Sequence, residues 1–149
     1  MSDPATDWGD FPRTVLHFLS ESPFALDLQA NIRDTELAAL EEAGFEHTFC
    51  IVTAQDPMGI EQPPETNAML VAKLEADVAQ LKAHHVEVDA CSPDSSHCEQ
   101  SMAVDVDLEV AVSLASRYDQ LAIFWFDGAT FWIVPARSSK SRLRLPVRR

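Results

Sequence analysis

The chain has 149 residues, 46% of them hydrophobic, and a formal charge of −13 at pH 7. That length suits one domain, which at this size buries roughly 68–70% of the surface of its unfolded chain. No run of about 18 apolar residues is present to cross a bilayer, and so acidic a balance excludes general affinity for nucleic acid or anionic membrane.

Residues 1–12 are rich in Asp, Pro and Gly and read as a flexible acidic arm on which Trp8 and Phe11 are the groups able to dock. Met1 to Phe11 holds three Asp and no basic residue where a secretory signal would be positive, so a cytoplasmic protein is expected. Residues 13–28 carry a mixed pattern, with Val15, Leu16, Leu19, Phe24, Leu26 and Leu28 apolar and Pro23 interrupting any helix. Asp34 then serves as N-cap for a helix over 35–43, with Gly44 at its C′ position and Phe45 folding back onto it. Residues 47–54 (HTFCIVTA) are apolar on both sides and β-branched, the pattern of an interior strand.

Pro57 and Gly59 make 55–62 a loop, and Pro63 and Pro64 fit the first turn of a helix running to about His84. Leu70, Leu74, Val78 and Leu81 give that helix one apolar stripe. Strands over 86–90 and 100–106 follow, joined across SPDSSH, and then a helix from Asp107 or Leu108 to about Tyr118. In LAIFWFDGATFWIV, Asp127-Gly128 predicts a two-residue type I′ turn that pairs Trp125 with Thr130, Ile123 with Trp132 and Phe124 with Phe131. Both faces of this hairpin are apolar, so helices are expected on one side and more protein or a partner on the other. From Arg137 onward, Arg137, Lys140, Arg142, Arg144, Arg148 and Arg149 meet no acidic residue. This basic tail leaves five Lys and Arg against 24 Asp and Glu in residues 1–136, a net −19.

The order helix, strand, helix, two strands, helix, two strands predicts an α+β single domain over 13–136. It has a mixed sheet of about five strands, helices packed on it and a C-terminal aromatic β-hairpin.

The segments VTAQDP (Val52 to Pro57), Asn67, CEQS (Cys98 to Ser101) and AVSLASRYDQLAIFWFDG (Ala111 to Gly128) resemble bacterial domain-of-unknown-function family 3293 over residues 45–135. Thr53, Ala54, Pro57, Glu99, Ser101 and Gln120 fit the family's pattern, whereas Gln55 and Asp56 stand where its members tend to carry Trp and Asn. The resemblance implies a small bacterial domain without an assigned activity and supplies no catalytic residue.

Thr53, Asp56, Asn67, Glu99, Ser101 and Gln120 fall at strand ends and helix starts, where small ligands bind in such sheets. The plainer role for each is to cap a helix or a turn. No Ser-His-Asp order, Gly-rich phosphate loop or HExxH is present, so no catalytic residue is assigned. His84, Cys91, His97 and Cys98 are weak metal candidates, since six residues between the two cysteines do not match structural zinc spacings. No metal and no cofactor is expected. Cys91 and Cys98 face each other across a hairpin and are able to pair, Cys50 reads as a core thiol, and the low, odd cysteine count suits a reducing compartment.

Trp125, Trp132 and the six tail cations are the candidate interaction residues. A protein partner or a second copy of the chain is expected through the hairpin or the tail, and nucleic acid through the tail alone. The leading expectation is a non-catalytic binding or interaction module. The alternatives are a small-molecule-binding protein or enzyme that uses the polar cluster, and a tail that contacts RNA or the ribosome.

Overall fold

Short apolar stretches with β-branched and aromatic residues, separated by three amphipathic segments, give this chain strands that must pair across long sequence gaps. A computed structural model describes residues 8–147. Its elements are β1 (Val15–Phe18), β2 (Phe24–Asp27), α1 (Asp34–Glu42), β3 (Phe49–Thr53), α2 (Pro64–Gln80), β4 (His85–Cys91), β5 (Cys98–Val104), α3 (Leu108–Arg117), β6 (Ala122–Phe126), β7 (Phe131–Pro135) and β8 (Leu143–Arg144).

All eight strands join one sheet in the order β2-β1-β4-β5-β3-β6-β7-β8. Every pairing among the described residues is antiparallel. This corrects the expectation of a mixed sheet of about five strands, although the α+β class holds. The helical connections do link strands of like direction, β3 to β4 and β5 to β6. In each case another strand lies between the two, β5 in the first and β3 in the second, so every neighbour is antiparallel. The unit β3-α2-β4-β5-α3-β6 is the split β-α-β-β-α-β arrangement, extended by β1 and β2 on one edge and by β7 and β8 on the other.

Local chemistry fixes the ends of the helices. Asp107 caps α3 by accepting from the Val110 N–H at 2.8 Å. At α1, Asp34 is the first helical residue rather than the cap; Arg33 takes that position and donates its own N–H to Glu36 Oε1 at 2.9 Å. At the far end of α1, Phe45 N–H reaches Leu40 O at 2.9 Å and Gly44 N–H reaches Glu41 O at 3.0 Å, the paired bonds of a Schellman turn. Gly44 is required there twice over. Its φ is +99°, and a Cβ would lie 2.3 Å from the His84 imidazole. Helix α2 stops at Gln80 rather than near His84, because Lys82 turns with a positive φ and His85 begins β4. Its buried stripe is Asn67, Val71, Leu74 and Val78, and Leu81 is exposed.

The aromatic hairpin forms with a register slid by two residues from the expected one, Trp125 lying opposite Trp132 and Phe126 opposite Phe131. Asp127 is the cause. Its Oδ1 accepts from the N–H groups of Ala129 and Thr130, both at 2.9 Å, and its Oδ2 from Trp132 Nε1 at 2.7 Å. That side chain organises a four-residue loop instead of the two-residue turn. Burial opposes the charged form of Asp127, and the Thr130, Trp132 and Ala129 donors outweigh it, so its pKa lies below the ordinary carboxylate value.

One face of the sheet packs Cys50, Val52, Met102, Val104, Ile123, Trp125 and Val134 against Leu74 and Val78 of α2 and Ala111, Leu114 and Ala115 of α3. Cys50 is fully buried there, and burial pushes its thiol up to about 12. The other face carries Leu16, Phe18, Phe49, Ile51, Val88, Phe126, Phe131 and Ile133 beneath Leu40 of α1, Trp8 and Leu145. The sheet curls around this second core. Strands β1 and β3 are three strand spacings apart, about 14 Å in a flat sheet, yet the Phe18 and Phe49 ring centroids are 6.3 Å apart.

The chain thus covers both faces of the hairpin itself. The stretch read as a free basic tail is also tied to the sheet: β8 pairs with β7, Leu145 is buried and donates its N–H to Phe131 O at 2.9 Å, and Trp8 Nε1 meets Ser141 O at 3.4 Å. The buried Leu145 and half-buried Leu143 outweigh the cations interleaved with them.

Candidate functional site

Where β3 ends and β5 begins, no α-helix among the described residues covers the concave face, and a cavity of about 500 Å³ opens there. Strand alternation selects its lining: Ile51 and Thr53 share one side of β3, Glu99 and Ser101 one side of β5, Ala122 and Phe124 one side of β6. Trp8 and Phe11 close the apolar wall, with Phe11 edge-on to Phe124 at 6.1 Å between centroids.

Five of the six residues of the expected polar cluster line this cavity: Thr53, Asp56, Glu99, Ser101 and Gln120. Thr53 lies opposite Ser101 in the β3–β5 ladder. Its hydroxyl donates to Gln100 O at 2.8 Å and accepts from Gln55 N–H at 3.1 Å, which pins the start of the following loop. Gln55 Oε1 in turn accepts from Gln100 N–H. Asp56 sits in that loop with a φ of +48°, a conformation that Asp tolerates better than most residues. Asn67, the sixth residue, stands behind it in α2. Its Nδ2 donates to Asp56 Oδ1 at 2.8 Å, and its Oδ1 accepts from Asp56 N–H at 3.0 Å. Gln62 N–H adds a third bond, to Asp56 Oδ1 at 3.0 Å. The plainer structural roles are therefore present at Thr53, Asp56 and Asn67 together with the convergence.

Glu99 differs from them. Its carboxylate takes no hydrogen bond from the described residues and has only the His97 imidazole, at 3.9 Å, as a possible ion partner. Burial raises its pKa above the ordinary glutamate value, the nearby Asp56 charge raises it further, and His97 opposes both. Gln120, only 7% exposed, donates Nε2 to Gln55 O at 3.0 Å and to Tyr118 O at 3.3 Å. Ser101, also buried, donates to Glu99 O at 3.1 Å.

The weak metal candidates separate. His84 Nε2 lies 2.7 Å from Ala43 O, far from the cavity lining, and Cys91 and Cys98 are joined by a disulfide. His97 is at the site, and one ligand atom each from Asp56, His97 and Glu99 lie within 4.8 Å of one another. Tetrahedral coordination at about 2.1 Å would bring such atoms to about 3.4 Å, so these side chains would have to close on an ion. The turn bearing His97 is built by Asp94. The N–H and hydroxyl of Ser96 and the hydroxyl of Ser92 all donate to its carboxylate and lower its pKa to about 2.

The candidate interaction residues lie elsewhere. Trp125 is buried under α2 and α3, and Trp132 is half-buried on the same face. Arg137 reaches Asp119 and donates to Ser116 O, Lys140 lies over the Trp8 ring at 5.1 Å, Arg142 is exposed, and Arg144 is in β8. Arg148 and Arg149 fall outside the described residues.

Residues 52–123 match a family whose description is "Protein of unknown function (DUF3293)". Over that segment the chain is similar to this family. All six residues of the polar cluster lie inside the matched DUF3293 segment, whereas Trp8, Phe11 and Ile133 of the apolar wall lie outside it. No curated protein and no solved structure matches the chain. Sequence reading had no means of placing Ile51, Phe124 and Ile133 at a site. They look like ordinary core residues, and only the docking of the first turn against β6 reveals a wall. Among the described residues, no helix is long and apolar enough to cross a membrane.

Proposed function

We propose that this domain is a non-catalytic binding module for a small molecule, held in the cavity between β3, β5 and β6. The observation that carries this reading is the convergence of Thr53, Asp56, Glu99, Ser101 and Gln120, from separate segments of the chain, on one cavity of about 500 Å³. That volume falls within the range of small-molecule sites, and Trp8, Phe11, Ile51, Phe124 and Ile133 give it an apolar wall facing the convergent polar groups. Among the described residues, the Thr53 and Ser101 hydroxyls of the site donate to backbone carbonyls and not to a base, which favours binding over covalent chemistry. The burial of Trp125 beneath α2 and α3 favours a ligand over a partner docked on that residue.

A thermal-shift screen of the purified protein against a metabolite panel tests the reading, because a ligand that binds only the native state raises its melting temperature. At least one compound stabilises the wild type and fails to stabilise Ala122→Trp, whose side chain would occupy the cavity. No stabilising compound, or equal stabilisation of the filled variant, overturns the proposal.

A further inference from the structure

We propose that the occupant of this cavity is a small organic cation, a protonated amine carried on an aromatic or aliphatic body; this rests on the binding reading above and specifies its ligand. Three independent features of the lining point the same way.

The first is the sign of the charge. Asp10, Asp56 and Glu99 line the cavity, while no Lys or Arg among the described residues does so. A carboxylate or phosphate ligand would meet these like charges, and among the described residues the one basic side chain on the lining is the His97 imidazole, itself 3.9 Å from Glu99. The surrounding chain carries a formal −13, and its field draws cations toward the opening.

The second is hydrogen-bond polarity. Gln120 is 7% exposed and both its Nε2 donors are committed to backbone carbonyls. Its Oε1 takes no hydrogen bond from the described residues. Because two carbonyls flank the nitrogen, the amide has no reason to flip. No fully buried side-chain polar atom among the described residues lacks a partner, so an unbonded Oε1 on so buried a residue is one that the cavity itself reaches. Glu99 also offers oxygens with no donor on them. Gln120 and Glu99 thus both turn open acceptors toward the cavity. A group with several N–H donors and a positive charge satisfies Glu99 and Gln120 together.

The third is the wall. Phe11 and Phe124 meet edge to face, and Trp8 lies 6.2 Å from Phe11 by ring centroids. A bare metal ion would leave this aromatic surface and most of the volume unused. An amine on an apolar body fills both ends, with its head at Glu99 and its body against the rings.

Phenethylamine, phenethyl alcohol and hydrocinnamate carry one body with a cationic, a neutral and an anionic head. Isothermal titration of each into the full chain is the test, with zinc and magnesium chlorides as parallel arms. Phenethylamine binds about ten-fold or more tightly than the alcohol, the scale of one hydrogen bond to a charged group, and hydrocinnamate binds more weakly still. Glu99→Gln, which keeps the shape of the side chain, lowers phenethylamine affinity by a similar factor and leaves the alcohol unchanged. Equal or tighter binding of the alcohol or hydrocinnamate, or phenethylamine affinity indifferent to Glu99→Gln, overturns the cation proposal while the binding reading stands. Heat from the metal ions with none from phenethylamine overturns it in favour of an ion site. If none of the five binds and the metabolite screen is also silent, both proposals fall.

Discussion

The two faces of the sheet are closed by different means. On one, α2 and α3 lay regular apolar stripes over β3, β5 and β6, and small side chains such as Ala111 and Ala115 let the helices sit close. On the other, one short helix and the two ends of the described chain do the covering, with Trp8 and Leu145 as plugs. Helices repeat their contact every turn and seal evenly, whereas segments anchored by single side chains seal where the anchor falls and leave space between anchors. The cavity lies in such a space, so a site arises where closure is irregular.

The largest test of this contrast deletes volume on each face. Leu74→Ala, beneath α2, leaves a void that rigid packing cannot refill and destabilises by about 2–5 kcal/mol in urea unfolding. Phe124→Leu borders existing space and is expected to cost less than about 1.5 kcal/mol. Equal losses would mean that the cavity face is as tightly packed as the helix face.

The next test concerns the disulfide on the cavity side. Cys91 and Cys98 close an eight-residue loop, for which the chain-entropy model gives about 2–3 kcal/mol. Paired Cys91→Ser and Cys98→Ser substitutions should lower stability by that amount. They should also broaden the His97 resonances while sparing those of α3; unchanged His97 signals would show that Asp94 holds the turn unaided.

The smallest effect is electrostatic. Folded Glu99 holds its proton to higher pH than it does in the unfolded chain. Its contribution to stability is therefore full below the unfolded value near 4.3 and is lost as pH rises through the folded value. Glu99→Gln is expected to be the more stable protein at pH 7, with the gain vanishing as pH falls toward 4. A gain that persists at pH 4 would assign it to packing instead of charge.

What the sequence disclosed was whatever short-range chemistry decides. Gly44 with Phe45, Asp107 and the paired prolines before α2 announce helix ends within a few residues, and SPDSSH announces the β4–β5 turn. Strands β1 and β2 pair as a local hairpin, yet the mixed apolar pattern around Pro23 hides both, and β8 is hidden because two residues among cations resemble a solvated end. Asp127-Gly128 predicts a two-residue turn, whereas the Asp127 carboxylate selects a four-residue loop and so moves the hairpin register. For the site, the polar members were legible as strand-end residues, and their meeting was not. Convergence depends on β5 lying between β3 and β4, a matter of topology. Glu99 and Asp94 show the same division: both are carboxylates next to a polar turn, yet burial and the Asp56 charge raise the pKa of the first, while the Ser96 and Ser92 donors lower that of the second.

The short strand β8 bears on a different property of the molecule. A sheet of eight antiparallel strands that does not close on itself has two open margins, here β2 and β8. The first offers four residues and the second two, with Arg144 in the latter. Long uncharged margins recruit further strands from neighbouring molecules, and brief charged ones do not. The basic segment that seemed an appendage therefore also works as a selvedge, and cutting the chain before Leu143 would bare the apolar edge of β7 to strand addition and fibre growth.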